Sequence, residues 1–166
     1  MIVVSDTTPL RSLAVLGEMA LLPRLFGEVS IPMAVLDECR HPSAPASLRE
    51  WSLNPPAWMR VVEIVSLDPR TLDLDQGEAA AITTALAVGA DLLLIDERKG
   101  RARAGELGLK RTGTLALLAQ AGRRGWLDYH AAVARLLLET RFRASAAVID
   151  TTWNESETFT PKPWLK

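Results

Sequence analysis

Four carboxylates in this 166-residue chain are spaced so that one site could hold them all: Asp6, Glu38, Glu78 and Asp96. Asp6 ends the run Ile2-Val3-Val4-Ser5, and Asp96 ends the apolar run Leu92-Leu93-Leu94-Ile95. Short runs of this kind read as strands buried on both faces, as in a parallel sheet. Ligands of such sheets sit outside the carboxyl ends of the strands, which is where both aspartates fall. Glu38 belongs to the helix expected after the second strand, and Glu78 opens the helix that feeds the fourth. Converging carboxylates repel one another unless cations or protons neutralise them. Oxygen donors without His or Cys suit Mg²⁺ or Mn²⁺, ions that acidify water and clamp a phosphodiester.

Each acid also has a local explanation. Asp6 could cap a helix beginning at Pro9, and Asp96 could cap the basic segment that follows it. Glu38 could be solvated beside Asp37. Asp75 and Glu78 have the spacing of a capping box. On residue types and spacing alone, both readings of each acid stay open.

Other chemistries lack their residues. No GxGxxG follows a strand, and there is no P-loop, CxxC or HExxH. His41 and His130 lie too far apart in the pattern to suggest a zinc pair. The single cysteine, Cys39, excludes an internal disulfide and fits a reducing compartment. No stretch reaches the roughly 18 apolar residues of a membrane span, and the N-terminus opens on a strand instead of a signal segment. The expected location is cytoplasmic, with no membrane partner.

The net charge of −1 hides an uneven distribution. Residues 1–96 carry 6 basic and 13 acidic side chains, whereas residues 97–124 carry 8 basic and 2 acidic. A basic block starting where an acidic set ends could set a phosphate-binding surface beside metal ligands. Arg98, Lys99, Arg101 and Arg103 are the candidates for phosphate contact, the RNA-binding set if the substrate is a nucleic acid. Adjacent helical residues diverge by about 100°, so at most two or three of the four can touch one strand. The competing reading is one solvated helix face.

The elements that must position these groups alternate. Strands are expected at Ile2–Ser5, Val29–Ile31, Val61–Val65, Leu92–Ile95 and Leu109–Thr112. Helices are expected at Pro9–Leu16, Glu18–Phe26, Pro32–Cys39, Ala79–Val88, Glu97–Leu107, Thr114–Gly122 and Tyr129–Glu139, with a turn or two near Pro45–Trp51. This alternation predicts an α/β domain with a mostly parallel sheet. From Thr151 onward the chain is polar, with Pro161, Pro163, Trp153 and Trp164 and no periodic pattern. Disorder and docking through the tryptophans are both compatible with that tail.

Five blocks, in order, resemble the PIN domain: Val4-Ser5-Asp6-Thr7-Thr8-Pro9-Leu10, Ile31-Pro32-Met33-Ala34-Val35-Leu36-Asp37-Glu38, Leu74-Asp75-Gln76-Gly77-Glu78-Ala79-Ala80-Ala81-Ile82, Leu93-Leu94-Ile95-Asp96-Glu97-Arg98 and Gly113-Thr114-Leu115. The likeness runs over about residues 1–127 and is narrower still to small prokaryotic PIN-like proteins related to VapC-type toxins. It implies a three-layer α/β fold with a mostly parallel five-stranded sheet flanked by helices. One PIN-like domain is expected over residues 1–150, with a C-terminal tail at 151–166. The resemblance also implies a metal-dependent ribonuclease cutting single-stranded RNA with Mg²⁺ or Mn²⁺. Asp6, Glu38, Glu78 and Asp96 match the family's acidic metal positions. Thr7 or Thr8 matches the small hydroxyl after the first acid, and Thr114 a further polar position. An antitoxin protein and a homodimer are partners the likeness implies. Arg11 and Ser12 depart from the pattern, standing where relatives continue apolar. The alternative is a non-catalytic PIN-like module that binds nucleic acid or regulates, with a vestigial site. A phospho-acceptor domain ranks last, because Lys110 falls at the wrong end of its strand.

Overall fold

A computed structural model describes residues 1–155. Strands β1 (Val3–Ser5), β2 (Val29–Pro32), β3 (Met59–Val62), β4 (Leu92–Leu94) and β5 (Arg111–Thr112) form one sheet in the order β3-β2-β1-β4-β5. All four pairings are parallel, and Val4 stands between Ser30 on one side and Leu93 on the other. The expected five-stranded parallel α/β sheet is therefore present. Its first strand in sequence is its central strand.

Between the strands run α1 (Thr7–Leu16), α2 (Leu21–Phe26), α3 (Met33–Arg40), α4 (Ala46–Leu53), α5 (Gln76–Val88) and α6 (Arg98–Glu106), with a 3₁₀ turn at Pro69–Thr71. Central strands of a sheet flanked by helices must be apolar on both faces, and Val3, Val4, Leu92, Leu93 and Leu94 are all buried. Alternation sends Val4, Leu93 and Ile95 to one face, where they cluster with Ala81, Ile82 and Ala85 of α5 and Ala104 of α6. The small alanines let α5 lie close to the sheet. Replacing Leu93 with Ala is expected to lower stability by about 2–5 kcal/mol, readable as a lowered urea midpoint with unchanged slope.

Several boundaries differ from expectation. Helix α1 starts at Thr7, so Pro9 sits inside its first turn, where a missing N–H costs nothing. Strand β3 is Met59–Val62, not Val61–Val65. Its apolar register matches β2 from Val29 to Pro32, and Val65 lies fully exposed beyond it. Strand β5 is only Arg111–Thr112, although Lys110 still accepts a backbone bond from Leu93.

Two compact units divide the chain at residues 114 and 115. The second contains α7 (Thr114–Arg123) from Leu115 onward, α8 (Tyr129–Glu139) and α9 (Ala146–Glu155). Helix α9 falls where no periodicity marks it, and none of its residues is buried. It is tied down by its aromatic residue. Trp153 stacks on Tyr129 at 5.0 Å, Arg123 lies over the same indole ring at 5.0 Å, and the Tyr129 hydroxyl donates to the Ile149 carbonyl. Pro161, Pro163 and Trp164 lie outside the described residues. No helix among the described residues is long and apolar enough to cross a membrane.

Candidate functional site

Asp6 follows the last residue of β1, and its backbone N–H donates to the Leu94 carbonyl at 2.9 Å. That bond fixes the first acid against the end of β4, where Asp96 follows after Ile95. Asp6 occupies the N-cap position of α1, but its side chain makes no capping bond. The carboxylate is 2% exposed. Burial, opposed by the Thr7 backbone N–H and then reinforced by the carboxylates of Asp75, Glu38 and Glu78, pushes its pKa up to about 8. A helix cap would be solvated and stabilising; Asp6 is neither.

Glu38 is positioned by the last turn of α3, and its Oε2 accepts a bond from the Thr7 hydroxyl. It is thus turned toward the start of α1, not toward Asp37, which is exposed. Gly77 of α5 makes this placement fit: a Cβ there would stand 2.5 Å from both Glu38 carboxylate oxygens. Thr7 is buried and Thr8 half-buried, and it is Thr7 that reaches the acid.

Glu78 combines both of its readings. Asp75 caps α5 by accepting the Glu78 N–H at 2.9 Å, as the spacing predicts. The Glu78 side chain is nevertheless only 5% exposed, and its buried Oε1 has no hydrogen-bond partner. Burial and the Asp75 carboxylate push it up to about 7. Leaving a buried carboxylate oxygen unmatched is costly, and a cation is the partner its charge calls for. Gly100 of α6 leaves the room, since a Cβ there would come within 2.7 Å of that oxygen. Asp75, treated in the sequence only as a cap, belongs to the acidic field of the site; its three-residue spacing from Glu78 was the available signal.

Asp96 does not cap α6, whose N-cap position is Glu97. Its Oδ1 accepts the Thr114 N–H at 2.7 Å and its Oδ2 the Thr114 hydroxyl at 2.6 Å. Burial raises its pKa, opposed by both Thr114 bonds and by the Arg101 guanidinium. Thr114 therefore grips the fourth acid as Thr7 grips Glu38.

The four basic candidates separate. Arg98 is exposed. Lys99 and Arg103 are held by Asp73, at 3.3 and 2.9 Å, and Arg103 also donates to the Arg70 carbonyl. Arg101 turns inward instead, donating to the Ile95 carbonyl at 2.9 Å. Arg11 is exposed on α1, while Ser12 is buried. Cys39 is buried, and burial followed by the Glu38 carboxylate pushes its thiol up to about 12. It is a packing residue without nucleophilic character. A separate groove, lined among others by Met33, Asp37, Glu63, Gln76 and Ala80, carries two carboxylates and offers no seat for phosphate.

The acids thus form two neighbouring sets: Asp6, Glu38, Asp75 and Glu78 in one, Asp96 with Thr114 and Arg101 in the other. Among the described residues, no three acidic, His or Cys side chains stand close enough together to form a ready-made metal shell. The donor set itself is all hard oxygen, and the unpartnered Glu78 oxygen fits a divalent cation.

The family profile described as PIN domain matches residues 2–157. Among solved structures, a PilT N-terminus domain protein from the hyperthermophilic archaeon Sulfolobus solfataricus P2 is similar, with a TM-score of 0.54 and 18% identity over 73% of this chain and 93% of that one. No curated protein gives a significant match.

Proposed function

The chain belongs to the PIN-domain family, and from that premise we propose that it is a divalent-metal-dependent ribonuclease that hydrolyses single-stranded RNA. PIN domains are generally nucleases and usually use divalent metals. One observation carries the reading for this chain: Asp6 and Glu78 are buried within electrostatic reach of each other, and the Glu78 Oε1 has no partner among the described residues. Asp6, Glu38, Glu78 and Asp96 are the residues that would hold Mg²⁺ or Mn²⁺. When bound, such a cation supplies charge neutralisation at a phosphate and acidification of a water.

The protein's own groups do the rest. Thr7 and Thr114 fix the rotamers of Glu38 and Asp96 by donating to them, which reduces the reorganisation needed when substrate binds. Burial and the Asp75 carboxylate raise the Glu78 pKa in the metal-free protein, so a bound divalent cation would have to displace a proton there, and binding should strengthen as pH rises. Exposed Arg98 is the α6 cation best placed for phosphate contact, because Lys99 and Arg103 are engaged by Asp73. The toxin role, with an antitoxin partner, and the homodimer are proposals resting on family likeness alone; co-purification and light scattering check them.

The test is cleavage of labelled single-stranded RNA with Mn²⁺, with Mg²⁺ and with EDTA, beside a Glu78→Gln variant. Metal-dependent cleavage that the variant loses by about 10²-fold or more supports the proposal. Absence of cleavage by folded protein, together with no Mn²⁺ binding in calorimetry, overturns it. A second reading, the non-catalytic binding module, is favoured by the lack of a ready-made three-residue metal shell among the described residues; retained RNA binding with neither metal nor cleavage would establish it.

A further inference from the structure

The basic block has a member beyond α6. Arg111 opens β5, an edge strand of the sheet, and its side chain is exposed. Residues two apart along an extended chain share a face, so Arg111 and Gly113, just after β5, look the same way. Arg101 and Gly105, four apart, share a face of α6. The two elements meet arginine over glycine. A Cβ built on Gly105 would stand 2.9 Å from the Cζ and both Nη atoms of Arg111, and one built on Gly113 would stand 3.2 Å from Arg101 Nη1. Glycine at both places leaves room for the two guanidiniums.

These like charges are within reach of each other. Burial lowers the Arg101 pKa, Asp96 opposes that, and the Arg111 guanidinium adds to it. Paired cations cost stability unless an anion neutralises them. Among the described residues neither arginine forms an ion pair, and Asp96 gives its two oxygens to Thr114. Arg101 spends one N–H on the Ile95 carbonyl. A guanidinium carries five, in a fork whose shape fits phosphate.

We propose that Arg101 and Arg111 form an anion seat on the α6–β5 side of the acidic centre, and that it takes a backbone phosphate of a single-stranded nucleic acid. The seat uses none of the four acids. The identity of its ligand rests on the ribonuclease reading. The seat adds a contact to that of Arg98 and gives Arg101 and Arg111 a part in holding the strand, not in cutting it.

The experiment is an anisotropy titration of the full chain with fluorescein-labelled single-stranded RNA, in EDTA, at several KCl concentrations. Arg111→Gln is expected to weaken binding about tenfold and to lower the slope of log Kd against log salt by about one. Gly105→Ala keeps every charge and suits a helix, but its methyl displaces the flexible end of Arg111; it is expected to weaken binding several-fold. Lys110→Gln removes an equally exposed neighbouring charge that points to the other face and is expected to change Kd less than twofold. Unchanged binding and slope in Arg111→Gln overturn the proposal, as does a Lys110→Gln loss equal to that of Arg111→Gln, which would show diffuse charge instead of a seat. Metal-dependent cleavage with Arg111-independent binding overturns the seat alone; Arg111-dependent binding without cleavage in Mn²⁺ overturns the nuclease reading and leaves the seat. If Arg111→Gln fails to fold by circular dichroism, Gly105→Ala decides, and wild-type affinity in that variant overturns the proposal.

Discussion

Asp6→Asn is expected to abolish cleavage and to make the metal-free protein more stable. The loss of activity should be about 10²–10³-fold, the scale for removing one preorganised charge from a reacting site. The gain in stability follows from burial. In the unfolded chain the carboxyl titrates near 3.8, and in the fold near 8. Below about pH 4 both states hold the proton and the residue makes no difference. As pH rises, the unfolded chain releases its proton while the fold retains it, so stability falls until the folded group ionises near pH 8. At about 1.4 kcal/mol per pKa unit, ionising Asp6 inside the fold costs on the order of 5 kcal/mol. The melting temperature of the metal-free wild type should therefore fall between about pH 4 and pH 8, and Asp6→Asn should flatten that slope. At pH 8–9 the variant should melt about 10–20 °C higher, on the usual conversion for a chain of this size. Saturating Mn²⁺ should flatten the wild-type slope as well. Melts in EDTA and in Mn²⁺ across that range check all three. A variant that melts lower than wild type at pH 9 would show that Asp6 is a structural residue and not a site carboxylate.

The second large effect separates activity from stability in another way. Gly77→Ala should cost about 10²-fold in cleavage while leaving the fold as stable as before or slightly more so. Gly77 lies within the first turn of α5, where Ala is favoured over Gly by about 0.5–1 kcal/mol. The nearest atoms to the new methyl all belong to one flexible side chain. The methyl meets the carboxylate of Glu38 at 2.5 Å, and that flexible end can swing aside. Swinging aside breaks its bond with Thr7 and moves the acid by an ångström or more, a displacement that costs about 10²-fold where reacting groups must be aligned. Urea denaturation and RNA cleavage on the same preparation check this. A stability loss above about 2 kcal/mol would mean that Glu38 cannot move and that Gly77 serves packing.

Much of this centre could be read without coordinates, for definable reasons. Runs such as Leu92–Ile95 carry their own evidence of burial, and their shortness between Gly89-Ala90-Asp91 and a charged segment marks them as strands instead of buried helix. The cap at Asp75 was legible because capping depends on a spacing of three residues. The carboxylates at strand ends followed once the sheet was parallel. What escaped was whatever depended on partners distant in sequence. The basic run Arg98–Arg103 looks uniform, yet Asp73 holds two of its cations and the Ile95 carbonyl a third. No periodicity announces those choices. The β3 register was set by pairing with β2 and not by its own apolar pattern. Helix α9 was invisible because its docking rests on Trp153 meeting Tyr129, one aromatic contact instead of an apolar stripe.

The order of the strands also governs when a site can exist during synthesis. β1 is made first and sits in the middle of the sheet, beside β2 and β4. Its pairing with β2 becomes available once Ser30 has emerged, but its pairing with β4 must wait for Leu93. Asp96 follows Asp6 by ninety residues, and its clamp Thr114 comes eighteen later still. At about 5–20 residues per second, a growing chain spends roughly 5–20 s with Asp6 folded against β2 and no opposite wall to the pocket. Throughout that interval the growing chain lacks Asp96 and its clamp, so the candidate site is among the last parts of the sheet to be completed.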